Sequence, residues 1–348
     1  MAIHAVIMAG GRGERLWPFS KPDMPKQLHA FGTGKSLIRS TFERLDGLAE
    51  ASSVYVVTGA DIAGRIREHL PELPAENILI EPVGKNTAPC IAYAALHILR
   101  KDPEAVMAVF PADHLVGDPG RFREAISFGV EVLAARPELL ITLGMVPDHP
   151  ETGYGYIAPG EVLDEEAGLR VHRVLAFREK PDEARARDYI GSGYLWNAGM
   201  FLWRVDAILE AFRKHLPVMY GQVMDMASEG PITPARVNEF YYTVDPISID
   251  YGIMEKASNV SVIPAEFGWN DIGSWDALGK VLPRDDAGNT CQGSVVTEDA
   301  RGNVAWSTGK KIVLIGVEDL VVVEGDDAIL VVPRRRSQDV GKLARKLK

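Results

Sequence analysis

A glycine-rich basic segment near the amino terminus could bind phosphate groups. Residues 9–28 read AGGRGERLWPFSKPDMPKQL, with glycines at positions 10, 11 and 13. Glycine allows the backbone to approach a ligand closely, so that successive N–H groups can surround phosphate oxygens. The segment also carries four cations, which are Arg12, Arg15, Lys21 and Lys26. The pattern therefore predicts a phosphate-binding loop, although an ordinary basic loop can have the same composition.

The segment does not match either of two familiar nucleotide-binding motifs. Leu16 stands where a GxGxxG motif requires its third glycine. In the later Gly34-Lys35-Ser36 sequence, His29 occupies the position of the first glycine of a P-loop. The chemistry of this loop must therefore be inferred from the rest of the chain.

Two aspartates that are far apart in the sequence could hold a divalent cation. Asp113 follows an apolar run that is typical of a buried strand, and Asp271 lies in a turn rich in Gly and Trp. Mg²⁺ is bound in proteins by one or two carboxylates together with substrate phosphates and water. For either aspartate considered alone, capping of a helix is the favoured interpretation.

The glycine-rich segment closely resembles the signature of the nucleoside-diphospho-sugar pyrophosphorylases, in the form RLWPFSKPDMPKQL that guanylyltransferases have. Further blocks resemble the same family in the same order: EPVGKNTAPCIAYAA (81–95), FPADHLV (110–116), ETGYGYI (151–157), FREKPD (177–182), LWNAGMFLW (195–203), and ISIDYGIMEKASNV with FGWNDIGSWDAL (247–278). Together they extend over residues 5–278. The family that the chain resembles is mannose-1-phosphate guanylyltransferase, also called GDP-mannose pyrophosphorylase.

The resemblance implies a reaction and the residues that serve the nucleotide. Mannose 1-phosphate would attack the α-phosphorus of GTP in line, forming GDP-mannose and releasing pyrophosphate. The cofactor would be Mg²⁺ on Asp113 and Asp271, bridging the reacting phosphates. The amides of Gly10, Gly11 and Gly13 would hold the β- and γ-phosphates together with Arg15, and Lys26 would neutralise charge at the α-phosphoryl group.

The resemblance also implies a site for the sugar phosphate. Lys180, in the sequence Glu179-Lys180-Pro181, would hold the attacking phosphate, and Glu179 would accept hydrogen bonds from sugar hydroxyls. Asn197 and the backbone of Gly153 would contact the sugar. For Glu179 and Lys180 the alternative is a surface ion pair, which stabilises a protein by only about 0–1 kcal/mol.

Two residues of the EPVGKN block are candidates for binding the nucleotide base. Glu81 could accept both N1–H and the N2 amino group of guanine in a charge-assisted pair, which uracil and thymine cannot reproduce. Asn86 is a second candidate in the same block. The alternative for Glu81 is that it caps the turn at residues 85–87.

Other activities remain open on the sequence. A related enzyme could use UTP or dTTP with glucose 1-phosphate. A catalytically inactive paralogue that binds nucleotide sugars and regulates a partner is disfavoured, because Lys26, Asp113, Lys180 and Asp271 are all present.

The pattern of apolar residues predicts the elements that position these groups. Apolar runs at residues 3–8, 52–59, 105–114 and 139–146 predict buried strands, and helical periodicities lie between them. We expect an α/β fold with a Rossmann-like, mixed but mainly parallel, doubly wound sheet over residues 1–284. Alternating segments after residue 150 predict added antiparallel strands, and helices are predicted near residues 206–215 and 249–257. In residues 285–348 the short apolar runs predict a small β-rich domain of stacked strands, either a roll or a β-helix, that ends in a basic helix. Of the two, we expect a short left-handed β-helix.

Composition and charge exclude several classes of protein. The 348-residue chain has 38 Lys and Arg against 48 Asp and Glu, a net charge of −10, which argues against a nucleic-acid binder. No apolar run approaches the roughly 20 residues that span a membrane. Two isolated cysteines and the absence of a leader pattern favour a cytoplasmic protein.

The charge is unevenly distributed along the chain. Residues 334–348 carry seven Lys or Arg and one Asp, so the remainder of the chain is more acidic than the total indicates. Short strands with open edges favour packing against another surface. We therefore predict that residues 285–348 support a homodimer.

Overall fold

A computed structural model describes residues 2–11, 13–32, 34–227 and 230–347. Arg12, one of the predicted cations of the glycine-rich segment, lies outside the described residues. The strands are β1 (Ile3–Met8), β2 (Val54–Gly59), β3 (Ile78–Glu81), β4 (Val106–Pro111), β5 (Leu115–Val116), β6 (Leu140–Met145), β7 (Gly155–Glu166), β8 (Leu169–Glu179), β9 (Leu195–Arg204), β10 (Val260–Ala265), β11 (Trp269–Asn270), β12 (Thr290–Gln292), β13 (Val295–Glu298), β14 (Val304–Trp306), β15 (Ile312–Ile315), β16 (Leu320–Glu324) and β17 (Ile329–Pro333).

The α-helices lie between and after these strands. They are α1 (Leu37–Glu43), α2 (Ala63–His69), α3 (Thr87–Lys101), α4 (Pro119–Ala135), α5 (Glu183–Gly191), α6 (Val205–His215), α7 (Pro217–Asp225), α8 (Pro234–Thr243), α9 (Trp275–Val281) and α10 (Val340–Lys346). Short 3₁₀ turns at Glu14–Leu16, Lys26–Leu28 and Arg334–Asp339 bear on the site, as does a π-helical turn at Asp250–Met254.

The chain divides into two compact units. The first comprises Met1–Gly10, Thr41–Ala112 and Val116–Trp269. The second comprises Gly11–Ser40, Asp113–Leu115 and Asn270–Lys348. The glycine-rich segment thus belongs, apart from its first residues, to the unit that contains the carboxyl-terminal region. The predicted domain boundary after residue 284 stays a prediction.

A nine-stranded sheet forms the first unit. Its strand order is β3-β2-β1-β4-β9-β6-β10-β8-β7. The pairings β1–β2, β1–β4, β2–β3 and β6–β10 are parallel, whereas β8 and β9 run against their neighbours. The mixed, mainly parallel sheet is confirmed, as are the antiparallel strands predicted after residue 150.

The glycine-rich segment and Asp113 each follow one of two neighbouring strand ends in the sheet. The chain moves from β1 to β2 and β3 on one side and then adds β4 on the other side of β1. In open α/β sheets ligands bind at the carboxyl ends of strands where the order reverses in this way. Met8 pairs with Pro111 at these ends, so β1 and β4 finish side by side.

Local signals explain the helix that follows β4. Asp118 accepts a hydrogen bond from the backbone N–H of Arg121, and Pro119 occupies the first position of α4. An N-cap followed by proline is a start signal that can be read from sequence. The predicted helix is confirmed, and Phe122, Ile126 and Leu133 lie on its buried face.

Short strands form most of the second unit. β12, β14 and β16 pair in parallel, as do β13 and β15, whereas β17 is antiparallel to β16. Parallel pairing of successive short strands is what a β-helix requires, so the predicted β-rich region is confirmed. The left-handed sense stays a prediction.

An apolar core joins the signature segment to the β-rich region inside the second unit. Leu16 of this segment and Phe31, which follows it, are each 1% exposed. They belong to one buried cluster with Trp306 of β14 and Val340 of α10. The segment that carries the predicted phosphate loop is therefore packed against strands that follow it by almost 300 residues.

Two regions differ in detail from the sequence prediction. A helix was expected near residues 249–257, but the structure has only the π-helical turn, closed by a hydrogen bond from the N–H of Glu255 to the main-chain oxygen of Asp250 at 2.9 Å. The predicted terminal basic helix is present as α10, preceded by a 3₁₀ turn. Within the described residues, no helix has the length and apolar character needed to cross a membrane.

Candidate active site

Lys26 is the central cation of the second unit. Its side chain is buried, and its ammonium donates a hydrogen bond to Oδ2 of Asp113 at 2.8 Å. The same ammonium donates to the main-chain oxygen of Asp271. The structure therefore brings together Lys26 and the two aspartates predicted to hold a metal, although 245 residues separate Lys26 from Asp271.

Gly13 permits this placement of Lys26. Its φ of 60° lies in the left-handed region that favours glycine. A Cβ added to Gly13 would lie 2.5 Å from Cβ of Lys26, closer than two side chains can approach. Any larger residue at position 13 would therefore displace the lysine.

A cavity of about 580 Å³ surrounds these groups. It lies entirely within the second unit and opens to solvent. Its lining contains four basic and three acidic side chains: Arg15, Lys26, Lys342 and Arg345, with Glu14, Asp113 and Asp271. This mixture suits a polyphosphate accompanied by a divalent cation, because neither sign of charge dominates the wall.

Electrostatics keep Asp113 ionised. Burial alone would raise the pKa of Asp113, but the charges of Lys26 and His114 more than offset this effect and hold its pKa below the usual range. His114 lies 3.8 Å from Oδ1 of Asp113. A carboxylate that is charged at neutral pH is the form that a metal ion requires.

The donor set fits Mg²⁺. No cluster of three or more His, Cys, Asp or Glu that could hold a metal is present in the part of the chain that the structure describes. Mg²⁺ does not need one, because it is usually bound through one or two carboxylates plus phosphates and water. Asp113 and Asp271 line one cavity and would be the two carboxylates that hold the ion.

A second group of predicted residues lies in the first unit. Glu179 ends β8, and Lys180 follows with a positive φ of 48°, which is uncommon for a residue with a side chain. The ammonium of Lys180 lies 3.9 Å from Oε2 of Glu179, and its side chain is 59% exposed. Lys180 is thus the exposed cation beside a buried carboxyl group.

Asp250 is a partner of this group that the sequence analysis did not identify. Burial raises the pKa of Glu179 to about 7, and the neighbouring charge of Asp250 adds to the rise, while Lys180 opposes it. Burial also raises the pKa of Asp250. The two acids are thus neighbours, and a charge on Asp250 disfavours ionisation of Glu179. The ISIDYGIMEK block contains Asp250, but its sequence context indicates only a helix start.

The Asn197 amide connects to this acid pair. Nδ2 of Asn197 donates to Oδ1 of Asp250 at 2.8 Å, and its Oδ1 accepts from the N–H of Gly199 at 3.1 Å. Oγ1 of Thr142 lies 3.1 Å from the same Oδ1. The amide orientation is therefore defined by protein groups. Contact between Asn197 and a sugar stays a prediction, and its observed role is to position Asp250.

Gly153 has a backbone N–H that is already engaged. It donates to Oε1 of Glu151 at 2.8 Å. The prediction that the Gly153 backbone contacts the sugar is not tested by this arrangement, but a sugar acceptor would compete with Glu151 for that N–H.

Glu81 ends β3 as a buried carboxyl group in the first unit. Burial raises its pKa to about 7, an effect that the neighbouring Tyr241 hydroxyl opposes, and Oε1 of Glu81 accepts no hydrogen bond of ordinary length from the described residues. A Cβ on Gly10 would lie 3.1 Å from Oε2 of Glu81, so the first glycine of the segment lies against this carboxyl group. A buried unpaired acceptor is costly and often marks a functional site.

Asn86 caps the next helix. Its side-chain oxygen accepts from the N–H of Thr87 at 2.9 Å at the start of α3, and its φ is 71°. The capping role considered for Glu81 is thus filled by Asn86. Participation of Asn86 in nucleotide binding stays a prediction.

The remaining predicted residues are Gly11, Arg15 and Lys21, and they differ in their surroundings. Gly11 is exposed, and a Cβ added to it would meet no described atom within 4 Å beyond its chain neighbours. Arg15 lines the cavity beside Lys26. Lys21, counted among the cations of the segment, instead pairs with Asp326 and Asp327 at 3.2 and 3.0 Å.

Comparison with known proteins identifies the family. The family model described as "Nucleotidyl transferase" matches residues 4–287, most of the chain. The chain belongs to the nucleotidyl transferase family. A second model, "MannoseP isomerase/GMP-like beta-helix domain", matches residues 293–347. The fold and the resemblance found in the sequence are both confirmed by these matches.

Named relatives of this nucleotidyl transferase match almost its full length. The mannose-1-phosphate guanylyltransferase of Escherichia coli (strain K12) is 37% identical over 99% of this chain and 73% of its own length. One from Klebsiella pneumoniae is 39% identical over the same shares. A solved structure described as mannose-1-phosphate geranyltransferase from Thermus thermophilus is 36% identical, with a TM-score of 0.89 over 100% of this chain and 99% of that one.

Proposed function

We propose that this nucleotidyl transferase transfers GMP from GTP to mannose 1-phosphate, forming GDP-mannose and pyrophosphate with Mg²⁺ as cofactor. The observation that carries the proposal is the contact of Lys26 with Asp113 and Asp271 in a cavity lined by further cations. The names of the full-length relatives from Escherichia coli and Klebsiella pneumoniae support the choice of substrates.

The chemistry requires little beyond positioning and charge neutralisation. An ionised phosphate oxygen of mannose 1-phosphate forms a bond to the α-phosphorus of GTP. The bond from that phosphorus to the oxygen that bridges the α- and β-phosphates breaks, and this oxygen leaves with pyrophosphate. No general base is needed, because the nucleophile is already ionised at neutral pH. Most of the barrier reduction must come from bringing two anions together.

The residues of the second unit would serve the triphosphate. Lys26 would neutralise charge at the α-phosphoryl group, and Arg15 with the loop amides would hold the β- and γ-phosphates. Asp113 and Asp271 would hold Mg²⁺, which when bound supplies positive charge to the phosphate oxygens. Donors that are fixed before the reaction avoid a reorganisation cost in the transition state.

The residues of the first unit would serve the sugar phosphate and the base. Lys180, exposed beside Glu179, would bind the phosphate of mannose 1-phosphate. Glu179 would accept hydrogen bonds from sugar hydroxyls. Glu81 would accept the two donors of guanine, because its Oε1 is buried and accepts no hydrogen bond of ordinary length from the described residues.

Glu81→Gln should reduce discrimination between bases. An amide cannot accept both guanine donors, so the use of GTP should weaken by roughly 1–3 kcal/mol, the cost of a lost buried hydrogen-bond partner. The ratio of kcat/KM for GTP to that for UTP or dTTP, measured by pyrophosphate release, should fall accordingly. An unchanged ratio would place recognition of the base on other groups.

The same carboxyl group predicts a pH dependence. The pKa of Glu81, raised to about 7, means that the free protein must lose a proton there before guanine can bind at lower pH. GTP affinity, measured without sugar phosphate, should therefore fall about tenfold per pH unit well below pH 7, beyond the effect of the nucleotide's own ionisation. The affinity for ATP, measured over the same pH range, gives the effect of triphosphate ionisation alone. In Glu81→Gln the difference between the two nucleotides should no longer depend on pH.

Other transferred groups are less compatible with the site. UTP or dTTP with glucose 1-phosphate would use the same phosphate residues but leave Glu81 opposite an acceptor. A geranyl group, as in the description of the Thermus thermophilus structure, would need an apolar cavity, whereas the cavity here has seven charged side chains. A regulatory paralogue would have no use for the contact between Lys26 and Asp113.

The direct experiment is pyrophosphate release across GTP, ATP, UTP and dTTP, each with mannose 1-phosphate and glucose 1-phosphate. The proposal expects the highest kcat/KM for GTP with mannose 1-phosphate. A higher value for UTP or dTTP with glucose 1-phosphate would support the alternative activity, and no release with any pair would support a regulatory protein.

We also propose that the chain forms a homodimer through the β-rich region. Val296 of β13 pairs with Val313 of β15, and these side chains are 47% and 53% exposed, with Ile315 next to them at 66%. Apolar side chains exposed together on short strands favour burial against a second copy. The solution mass should be twice that of one chain and should halve in Val313→Glu/Ile315→Glu. A monomeric mass for the unaltered protein would contradict the proposal.

A further inference from the structure

The basic terminal helix lines the cavity that also contains the predicted phosphate-binding residues Arg15 and Lys26. Gln338, Lys342 and Arg345 line the cavity that contains Lys26 and Asp113. Their spacing of three to four residues is the spacing of one helix face. The excess of positive charge at the end of an acidic chain is therefore directed, in part, at the cavity.

Packing holds α10 against the signature segment within the second unit. Val340 and Ala344 are each 3% exposed, and Val340 shares a buried cluster with Leu16. A Cβ on Gly341 would lie 3.0 Å from Cγ of Arg15, so the helix backbone contacts the predicted β,γ-phosphate residue directly. The helix thus lies at the Arg15 end of the cavity.

The two cations of α10 have different environments. Nη1 of Arg345 donates to Oε2 of Glu14 at 3.2 Å, which offsets an acidic charge in the cavity wall. Lys342 is exposed and makes no ion pair with any residue in the described ranges. A solvated lysine that faces a cavity beside Arg15 is available to bind an anion.

We propose that Lys342 binds the β- and γ-phosphate oxygens of the nucleotide, and hence the pyrophosphate product, and that Arg345 is a positioning residue that neutralises Glu14. The ligand class is an inorganic or nucleoside polyphosphate. The inference rests on the proposed function for its choice of GTP, but binding of pyrophosphate can be measured without catalysis.

The test compares Lys342→Ala with Lys346→Ala in the full-length protein. Both changes remove one charge from the same helix, and Lys346 does not line the cavity. Lys342→Ala should weaken binding of pyrophosphate with Mg²⁺, measured by calorimetry, by about tenfold, the scale of one lost hydrogen bond to a charged group. It should raise KM for GTP to a similar extent, while kcat and KM for mannose 1-phosphate stay within about twofold.

Lys342→Arg keeps the charge and should recover most of the affinity. Equal pyrophosphate affinity in Lys342→Ala and Lys346→Ala would overturn the proposal, as would failure of the unaltered protein to bind pyrophosphate. If the unaltered protein binds pyrophosphate in a Lys342-dependent way but does not use GTP with mannose 1-phosphate, the proposed function fails and the inference stands.

The role of Arg345 is tested by rescue. Arg345→Ala should weaken pyrophosphate binding because Arg345 then no longer offsets the charge of Glu14. Adding Glu14→Gln should restore the affinity, because the repulsive charge is removed. If Arg345 bound phosphate directly, or only supported the fold, Arg345→Ala would weaken the affinity by the same factor with and without Glu14→Gln.

Discussion

Asp113→Asn and Asp271→Asn should each lower kcat by about 10²- to 10³-fold. A metal ion contributes several kcal/mol to stabilising the transition state of such reactions, and each 1.36 kcal/mol lost lowers the rate tenfold. An amide keeps the shape of the carboxylate but loses its charge. The two residues line one cavity, and Lys26 contacts both. The fold should persist, because Asp113 is partly exposed and Asp271 lies outside any helix or strand.

The measurement combines steady-state kinetics with titration of Mg²⁺. Each variant should need a higher Mg²⁺ concentration for half-maximal rate, and the midpoint of thermal unfolding should respond less to Mg²⁺ added with GTP. Near-normal rates in both variants, or full activity of the unaltered protein in excess chelator, would remove the metal from the mechanism.

Asp118→Ala is the matched control for these two variants. Asp118 caps α4, which is the simple structural role that an aspartate after a strand can have. Its loss should lower stability by about 1 kcal/mol, the usual effect of a lost N-cap, with kcat almost unchanged. If Asp113→Asn also lowered stability and left kcat normal, Asp113 would have a structural role and not a catalytic one.

Lys26→Ala should lower kcat and kcat/KM together by about 10²- to 10³-fold, with little change in KM for GTP, because the loss of one fixed donor to developing charge has effects of this size. The ammonium is buried and already directed at Asp113 and Asp271. A lysine whose effect is confined to the ground state would instead raise KM at constant kcat.

A second consequence of Lys26→Ala concerns Asp113. Lys26 is one of the charges that hold the pKa of Asp113 below its usual range, while burial opposes it. A lowered carboxyl pKa stabilises the folded state above the pKa of the unfolded chain, and this contribution is lost as the pH falls through the lower folded value. The variant should therefore lose stability at neutral pH, and its difference from the unaltered protein should shrink in acid, as followed by thermal unfolding.

Lys21→Ala is the matched control for Lys26→Ala. Both lysines belong to the same segment, but Lys21 pairs with Asp326 and Asp327 near the surface. Exposed ion pairs contribute little to stability. The control should retain kcat within about twofold, and a large loss would mean that the geometry of the whole segment, rather than the Lys26 charge, limits the rate.

Local patterns in the sequence predicted the secondary structure and the family. Buried strands such as β1 and β4 appear as apolar runs, and Asp118-Pro119 marks the start of α4. Lys26, Asp113 and Asp271 were predicted from residue type and motif. These signals are readable because periodicity and capping depend on residues within a few positions of one another.

Only the tertiary structure decided which of these side chains meet. Lys26 and Asp113 are 87 residues apart, Asn197 and Asp250 are 53 apart, and Arg345 and Glu14 are 331 apart. No periodicity within one element specifies such a contact, because it depends on how the apolar faces of separate elements pack. The basic tail shows the same limit: its charge is plain in the sequence, but its position beside Arg15 results from the burial of Val340 and Gly341 against the signature segment.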